Sequence, residues 1–127
     1  MSGPAAASHL RLARPVSDLA AAEHFWAAGL GLSVLWRSDD GLLAVGWPGA
    51  AWHLELVHEP GVLPPPTEED LLVLYLDGPA DPVVVARLLA AGGSVVPSRN
   101  PYWDQWGVTV ADPDDYRLVL CERSWST

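Results

Sequence analysis

The sequence predicts an α+β fold: two tandem β-α-β-β-β modules forming curved mixed sheets around a shared cavity. Three observations point to it. Strand-like and helix-like segments run in one order from about residue 8 to 58, and the same order restarts from about 71 to 122. Ala27-Ala28-Gly29 and Ala90-Ala91-Gly92 close the two helical segments, and Ser33-Val34 and Ser94-Val95 follow them within a few residues. A half of this size cannot bury a sheet by itself, so the two halves must share their apolar surfaces.

In the first half, His9–Arg14 alternates polar and apolar residues and reads as a strand, with Pro15 expected to end it. Ser17 or Asp18 can cap a helix from about Leu19 to Ala28, with Leu19, Ala22, Trp26 and Leu30 on one face. Gly29 and Gly31 stop that helix. Three strand-like runs follow, Leu32–Arg37, Leu42–Trp47 and Ala51–Val57, separated by Asp39-Asp40-Gly41 and Pro48-Gly49.

Residues 59–70 form an acidic linker stiffened by Pro64, Pro65 and Pro66, which excludes helix there. Leu71–Asp77 then reads as a buried strand. Asp81 and Pro82 form a cap and first-turn pair for a helix from Pro82 to Ala91, halted by Gly92 and Gly93. Val95–Val96, Gly107–Ala111 and Tyr116–Glu122 complete the second module, with the turn Asp112–Asp115 between the last two.

Composition bounds the function. The 127 residues are one domain's worth, and half of them are hydrophobic with 18% charged, the balance of a folded chain. The seven basic residues are all Arg and are scattered, against sixteen acidic ones, for a net charge of −9. Nucleic acid and anionic membrane surfaces are therefore disfavoured partners, because both require clustered positive charge. The lone Cys121 allows no intrachain disulfide, which fits a reducing cytoplasm. Residues 1–7 do not read as a signal peptide, and runs such as Leu71–Leu76 are too short to span a bilayer.

Alternation along the strands gives the inward-facing residues. They are His9, Arg11 and Ala13 in the first strand, then Leu71, Val73 and Tyr75, then Arg117, Val119 and Cys121. Such a cavity is mostly apolar with a few polar anchors. Seven Trp are unusually many for this length. Trp36 and Trp47 are candidates for the cavity wall, whereas Trp26 lies on the apolar helix face and reads as core. Asn100-Pro-Tyr-Trp-Asp-Gln-Trp-Gly107 clusters Tyr102, Trp103 and Trp106 beside Asp104. One reading is a loop that forms a rim or lid and stacks on a planar ligand, with Asp104 or Asn100 giving hydrogen bonds; the other is that Trp103 and Trp106 pack into the core or a dimer interface.

The double β-α-β-β-β order resembles the vicinal oxygen chelate superfamily of glyoxalases, bleomycin-resistance proteins and ring-cleaving dioxygenases. His9-Leu-Arg-Leu-Ala-Arg-Pro-Val-Ser-Asp-Leu19 resembles that family's opening strand and helix entry. Ala28-Gly-Leu-Gly-Leu32 resembles its helix exit. Asp112-Pro-Asp-Asp-Tyr-Arg-Leu118 resembles its Asp-Pro-Asp-Gly turn, with Asp115 where glycine is usual. In the family's metalloenzymes four ligands hold a divalent metal, two from each module. His9 and Glu55 stand at the first module's positions, but Leu71 and Val119 stand at the second module's, and neither can coordinate a cation.

Two readings of the remaining pair stay open. His9 can hydrogen-bond Glu55 across the cavity wall, or His53, which alternation places beside Glu55, can complete a set of two histidines and a carboxylate, His9, His53 and Glu55. The resemblance implies a metal-independent, cofactor-free binding protein of the bleomycin-resistance type, a homodimer that sequesters a planar or polycyclic apolar small molecule. Its expected ligand-binding residues are His9, Arg11, Trp36, Trp47, His53, Glu55, Tyr75, Tyr102, Trp103, Asp104 and Trp106. The rival class is an enzyme, either a metal-dependent lyase or isomerase or a cofactor-free catalyst using His9 and Glu55.

Overall fold

The computed structural model describes residues 3–127. The first module comprises β1 (Leu10–Val16), α1 (Leu19–Glu23) continuing into a π-helical turn (His24–Gly29), β2 (Ser33–Arg37), β3 (Leu42–Gly46) and β4 (Trp52–His58). The second comprises β5 (Leu71–Tyr75), α2 (Pro82–Ala90), β6 (Ser94–Val95), α3 (Pro101–Trp106), β7 (Gly107–Ala111) and β8 (Arg117–Cys121). Each module builds a four-stranded mixed sheet, in the orders β1-β4-β3-β2 and β5-β8-β7-β6. The parallel pairs β1–β4 and β5–β8 occupy equivalent places in the two sheets. The fold is the α+β tandem that the sequence predicts.

Two local expectations change, and the choice of cap left open between Ser17 and Asp18 is decided. Pro15 does not end β1, which runs on to Val16 with Pro15 opposite Val57. β1 is an edge strand, and Leu10 N–H donates inward to Ala51 O at 2.9 Å. Alternation therefore puts the Pro15 nitrogen on the free edge, where no ladder bond is lost. The first helix is capped by Asp18, which accepts from Ala21 N–H, while the Ser17 hydroxyl donates to Asp114 in the other module at 2.6 Å. Residues 101–106 form a short helix rather than a loop, because Asn100 caps it and Pro101 fits its first turn.

Both modules feed one core. Leu43, Val45, Leu54 and Leu56 of the first sheet join Val110, Leu118 and Leu120 of the second around Phe25, Trp26 and Leu88. Burial of each such side chain contributes about 1.5–3 kcal/mol. Gly29 lets the helical segments approach closely, since a Cβ there would stand 3.2 Å from both Ala91 Cβ and Leu88 Cδ2. Arg87 Nε–H donates to Gly29 O at 3.2 Å across the same junction.

The joint core decides which faces remain for function. Leu10 and Leu12 line an apolar pocket of about 270 Å³ together with Leu72 and Leu74. The Arg14 guanidinium lies 4.5 Å from the Tyr116 ring centre. These contacts turn one side of each sheet toward the other module. By alternation the opposite sides carry the predicted ligand-facing residues and point away from the core. Within one chain they form two outer surfaces rather than one, because the first helical segment and α2 supply Phe25, Trp26 and Leu88 to the core that both sheets share.

Candidate functional site

On the outer face of the first sheet the structure brings four predicted residues together. β1 and β4 run in parallel with Arg11 opposite His53 and Ala13 opposite Glu55. His9 Nε2 lies 2.7 Å from His53 Nδ1, and His53 Nε2 lies 3.2 Å from Glu55 Oε1. The Arg11 guanidinium donates to Glu55 Oε2. His53 therefore stands between His9 and Glu55, so the expected direct His9–Glu55 bond becomes a three-residue chain.

Electrostatics sets the charge at the buried end of that chain. The Arg11 hydrogen bond, helped by His53 and opposed by burial, holds the Glu55 carboxyl below its ordinary pKa. An ionised carboxylate only accepts, so His53 presents Nε2–H to Glu55. His53 Nδ1 faces His9 Nε2, and His9 Nδ1 lies on the exposed end of the chain. Glu55 is 8% exposed, whereas His9 and Arg11 are open to solvent.

The residues do not fit a divalent metal. A metal centre needs lone pairs converging on one point. His53 turns its two nitrogens to different neighbours, and both Glu55 oxygens are engaged. Among the described residues no group of three or more His, Cys, Asp or Glu side chains is arranged to hold an ion.

The second sheet's outer face carries an aromatic wall. Trp103 meets Tyr75 edge-on at 6.3 Å between ring centres and Tyr102 at 5.1 Å. Tyr75 pairs with Cys121, and Thr109 pairs with Val119, so all four lie on this face. α3 packs against β7 and β8, and the Ser98 hydroxyl bonds that of Thr109. Val119 and Cys121 are fully buried beneath this cover.

The other predicted residues separate from these two groups. Asp104 accepts from Ser98 N–H at 3.0 Å and so braces its own loop rather than standing free. Trp106 lies under the Arg123 guanidinium at 4.5 Å. Trp36, opposite Ala44, shares the Glu55 face and is 54% exposed. Trp47 instead meets Trp52 edge-on and lines a pocket of about 240 Å³ between the modules, with Leu30, Leu74 and Leu76.

Two lining residues escaped the sequence reading. Leu35 sits at a β-bulge between Val34 and Trp36 and reaches the outer face, where a Cβ on Gly46 would stand 3.2 Å from its Cδ1. No residue pattern announced that bulge. Thr109, by contrast, follows from carrying alternation along β7.

Known proteins match this architecture module by module. Residues 10–57 match the YycE-like N-terminal domain, and residues 69–122 match the YycE-like C-terminal domain. The uncharacterized protein YycE of Bacillus subtilis is 34% identical over 122 residues, covering 90% of this chain and 87% of that protein. The crystal structure of a B. subtilis YycE protein of unknown function superposes with a TM-score of 0.78 at 32% identity, over 95% of this chain and 93% of that one. TnmS3, an antibiotic binding protein from Streptomyces sp. CB03234, gives a TM-score of 0.60 at 29% identity, over 92% and 97%. A glyoxalase/bleomycin resistance protein from the same source gives 0.57 at 29%, over 90% and 99%. The chain belongs to the YycE-like family, and through it to the vicinal oxygen chelate superfamily whose two-module order its sequence resembles.

Proposed function

We propose that this protein is a metal-independent binding protein that sequesters a bulky, planar, largely apolar small molecule, in the manner of antibiotic self-protection. The observation that carries the reading is the Tyr75–Trp103–Tyr102 wall, whose rings meet edge-on and whose two tyrosines remain exposed. Edge-on pairs hold each other rigid and leave faces free for a flat ligand to stack. The similarity to an antibiotic binding protein at 29% identity supports it. Arg11, His9 and Trp36 on the other outer face supply polar and aromatic groups for the ligand's periphery.

A homodimer goes with this reading. The two outer faces of one chain point apart, and a second copy joins a first-module face to a second-module face in one cleft. Exposed Leu10 and Leu12 on the edge strand β1 are apolar surface suited to such a contact. The proposed compartment is the cytoplasm, with Cys121 a buried free thiol. Among the described residues no helix is long and apolar enough to cross a membrane.

The histidine chain favours a second reading, a cofactor-free enzyme in which His9 Nδ1 acts as general base. One experiment separates the two. Tryptophan fluorescence is titrated with polycyclic natural products, and every compound that quenches is recovered and analysed. Saturable quenching with the compound unchanged supports sequestration. Recovery of a converted compound replaces it with the enzyme reading, and no saturable quenching removes the binding function.

A further inference from the structure

We propose that Arg11 is a resident cation that keeps the His9–His53–Glu55 array closed to divalent metal ions, and that removing its charge turns the array into a metal site. Two imidazoles and a carboxylate in a chain of contacts are the donor types of a three-ligand metal centre with open positions. The His9 and His53 rings lie 4.9 Å apart, tilted by 34°, and Glu55 lies beyond His53. The array lacks only convergence on one point.

Arg11 is what opposes convergence. It occupies Glu55 Oε2, while His53 meets Oε1 with one ring nitrogen and His9 with the other. It also supplies the positive charge that a nearly buried carboxylate requires, since an uncompensated buried charge is costly. A guanidinium is permanently protonated and cannot be displaced by deprotonation. With Arg11 in place, an entering ion must break the Glu55 pair and meet a fixed cation beside it. Without Arg11, Glu55 regains a free oxygen and the site regains its attraction for cations. His53 is then free to turn Nδ1 or Nε2 toward an ion shared with His9. No other Arg among the described residues pairs with Glu55, so the barrier rests on one side chain.

The test titrates purified wild type and Arg11→Met with Zn(II) by calorimetry, and with Co(II) by its visible absorption. Arg11→Gln, which keeps a neutral donor, serves if Arg11→Met does not fold, and near-ultraviolet circular dichroism establishes folding. Wild type and Arg11→Lys are expected to bind no stoichiometric ion. The neutral variant is expected to bind one ion per chain, with affinity raised at least about tenfold. Adding Glu55→Gln or His53→Ala to the neutral variant should abolish that gain. A stoichiometric Zn(II) in wild type that is lost on Glu55→Gln overturns the proposal. So does a folded neutral variant whose affinity for Zn(II) and Co(II) is unchanged.

Discussion

The indole Nε1–H of Trp26 donates to Asp112 Oδ2 at 3.2 Å, tying the first module's helix to the second module's last turn. Asp112 also accepts from the backbone N–H groups of Asp114 and Tyr116, both at 2.9 Å. These bonds favour the charged form, yet burial outweighs them and pushes the Asp112 carboxyl up from 3.8 to about 6. The raised value means the folded state holds the proton more tightly than the unfolded state. That contribution is complete below pH 3.8 and is lost as pH rises through about 6.

Lowering the pH from about 7 to about 4 should therefore stabilise the fold at this residue by up to roughly 3 kcal/mol. Asp112→Asn should remove that part of the pH dependence. Urea denaturation of both proteins across this range gives the difference directly. Parallel curves would show that Asp112 stays ionised in the fold.

Asp115 holds a left-handed backbone at φ +68°, the conformation glycine takes without strain. Asp115→Gly should raise stability by about 0.5–1 kcal/mol. Thermal unfolding at constant pH measures it, with a higher midpoint expected.

The caps divide unequally between Ser17 and Asp18. Asp18→Ala and Asp81→Ala each remove a side-chain acceptor from a helix start and should cost about 1 kcal/mol. Ser17→Ala loses the bond to Asp114 instead. In a double-mutant cycle, Ser17→Ala should couple to Asp114→Ala and not to Asp18→Ala.

Gly93 is closed to any side chain. A Cβ there would stand 2.7 Å from Phe25 Cε1 and 2.8 Å from Val110 Cγ1. Gly93→Ala should destabilise by about 1–3 kcal/mol by forcing the modules apart at their joint core, as read from its unfolding midpoint in urea.

Trp103 and Trp106 should part company in ligand binding. Trp103→Ala removes the ring between Tyr75 and Tyr102 and should weaken any quenching ligand by more than about 1 kcal/mol with folding intact. Trp106, engaged with Arg123, should matter less. No loss at Trp103 would remove α3 from the site, and equal losses at both would put Trp106 in contact with the ligand as well.

Much of the architecture was legible because the signals were local. The Ala-Ala-Gly helix exits, the Asp81-Pro82 start and the Asp112–Asp115 turn all landed within a residue or two of expectation. Asp115 took up the glycine conformation that its place in the turn requires. Pro15 misled because its effect depends on which side of the strand meets a neighbour, which the chain order does not state. Asn100-Pro101 is as good a helix start as Asp81-Pro82, but the aromatic residues after it drew the reading toward a loop. At the site, alternation placed His53 beside Glu55, yet the interposition of His53 depends on side-chain torsions that periodicity does not encode. Trp47 fell in the strand-end turn, where alternation fails, and so joined the inter-module pocket rather than the outer face.

Pro15 has a bearing on how these molecules meet in a crowded solution. An exposed sheet margin is a template onto which a foreign strand can zip, one amide after another. Along this margin the amides of Arg11 and Ala13 are on offer, and the next place in the row has no hydrogen to give. A zipper begun at one end halts there. The same imino ring that leaves the native ladder whole acts as a stopper against runaway fibre growth.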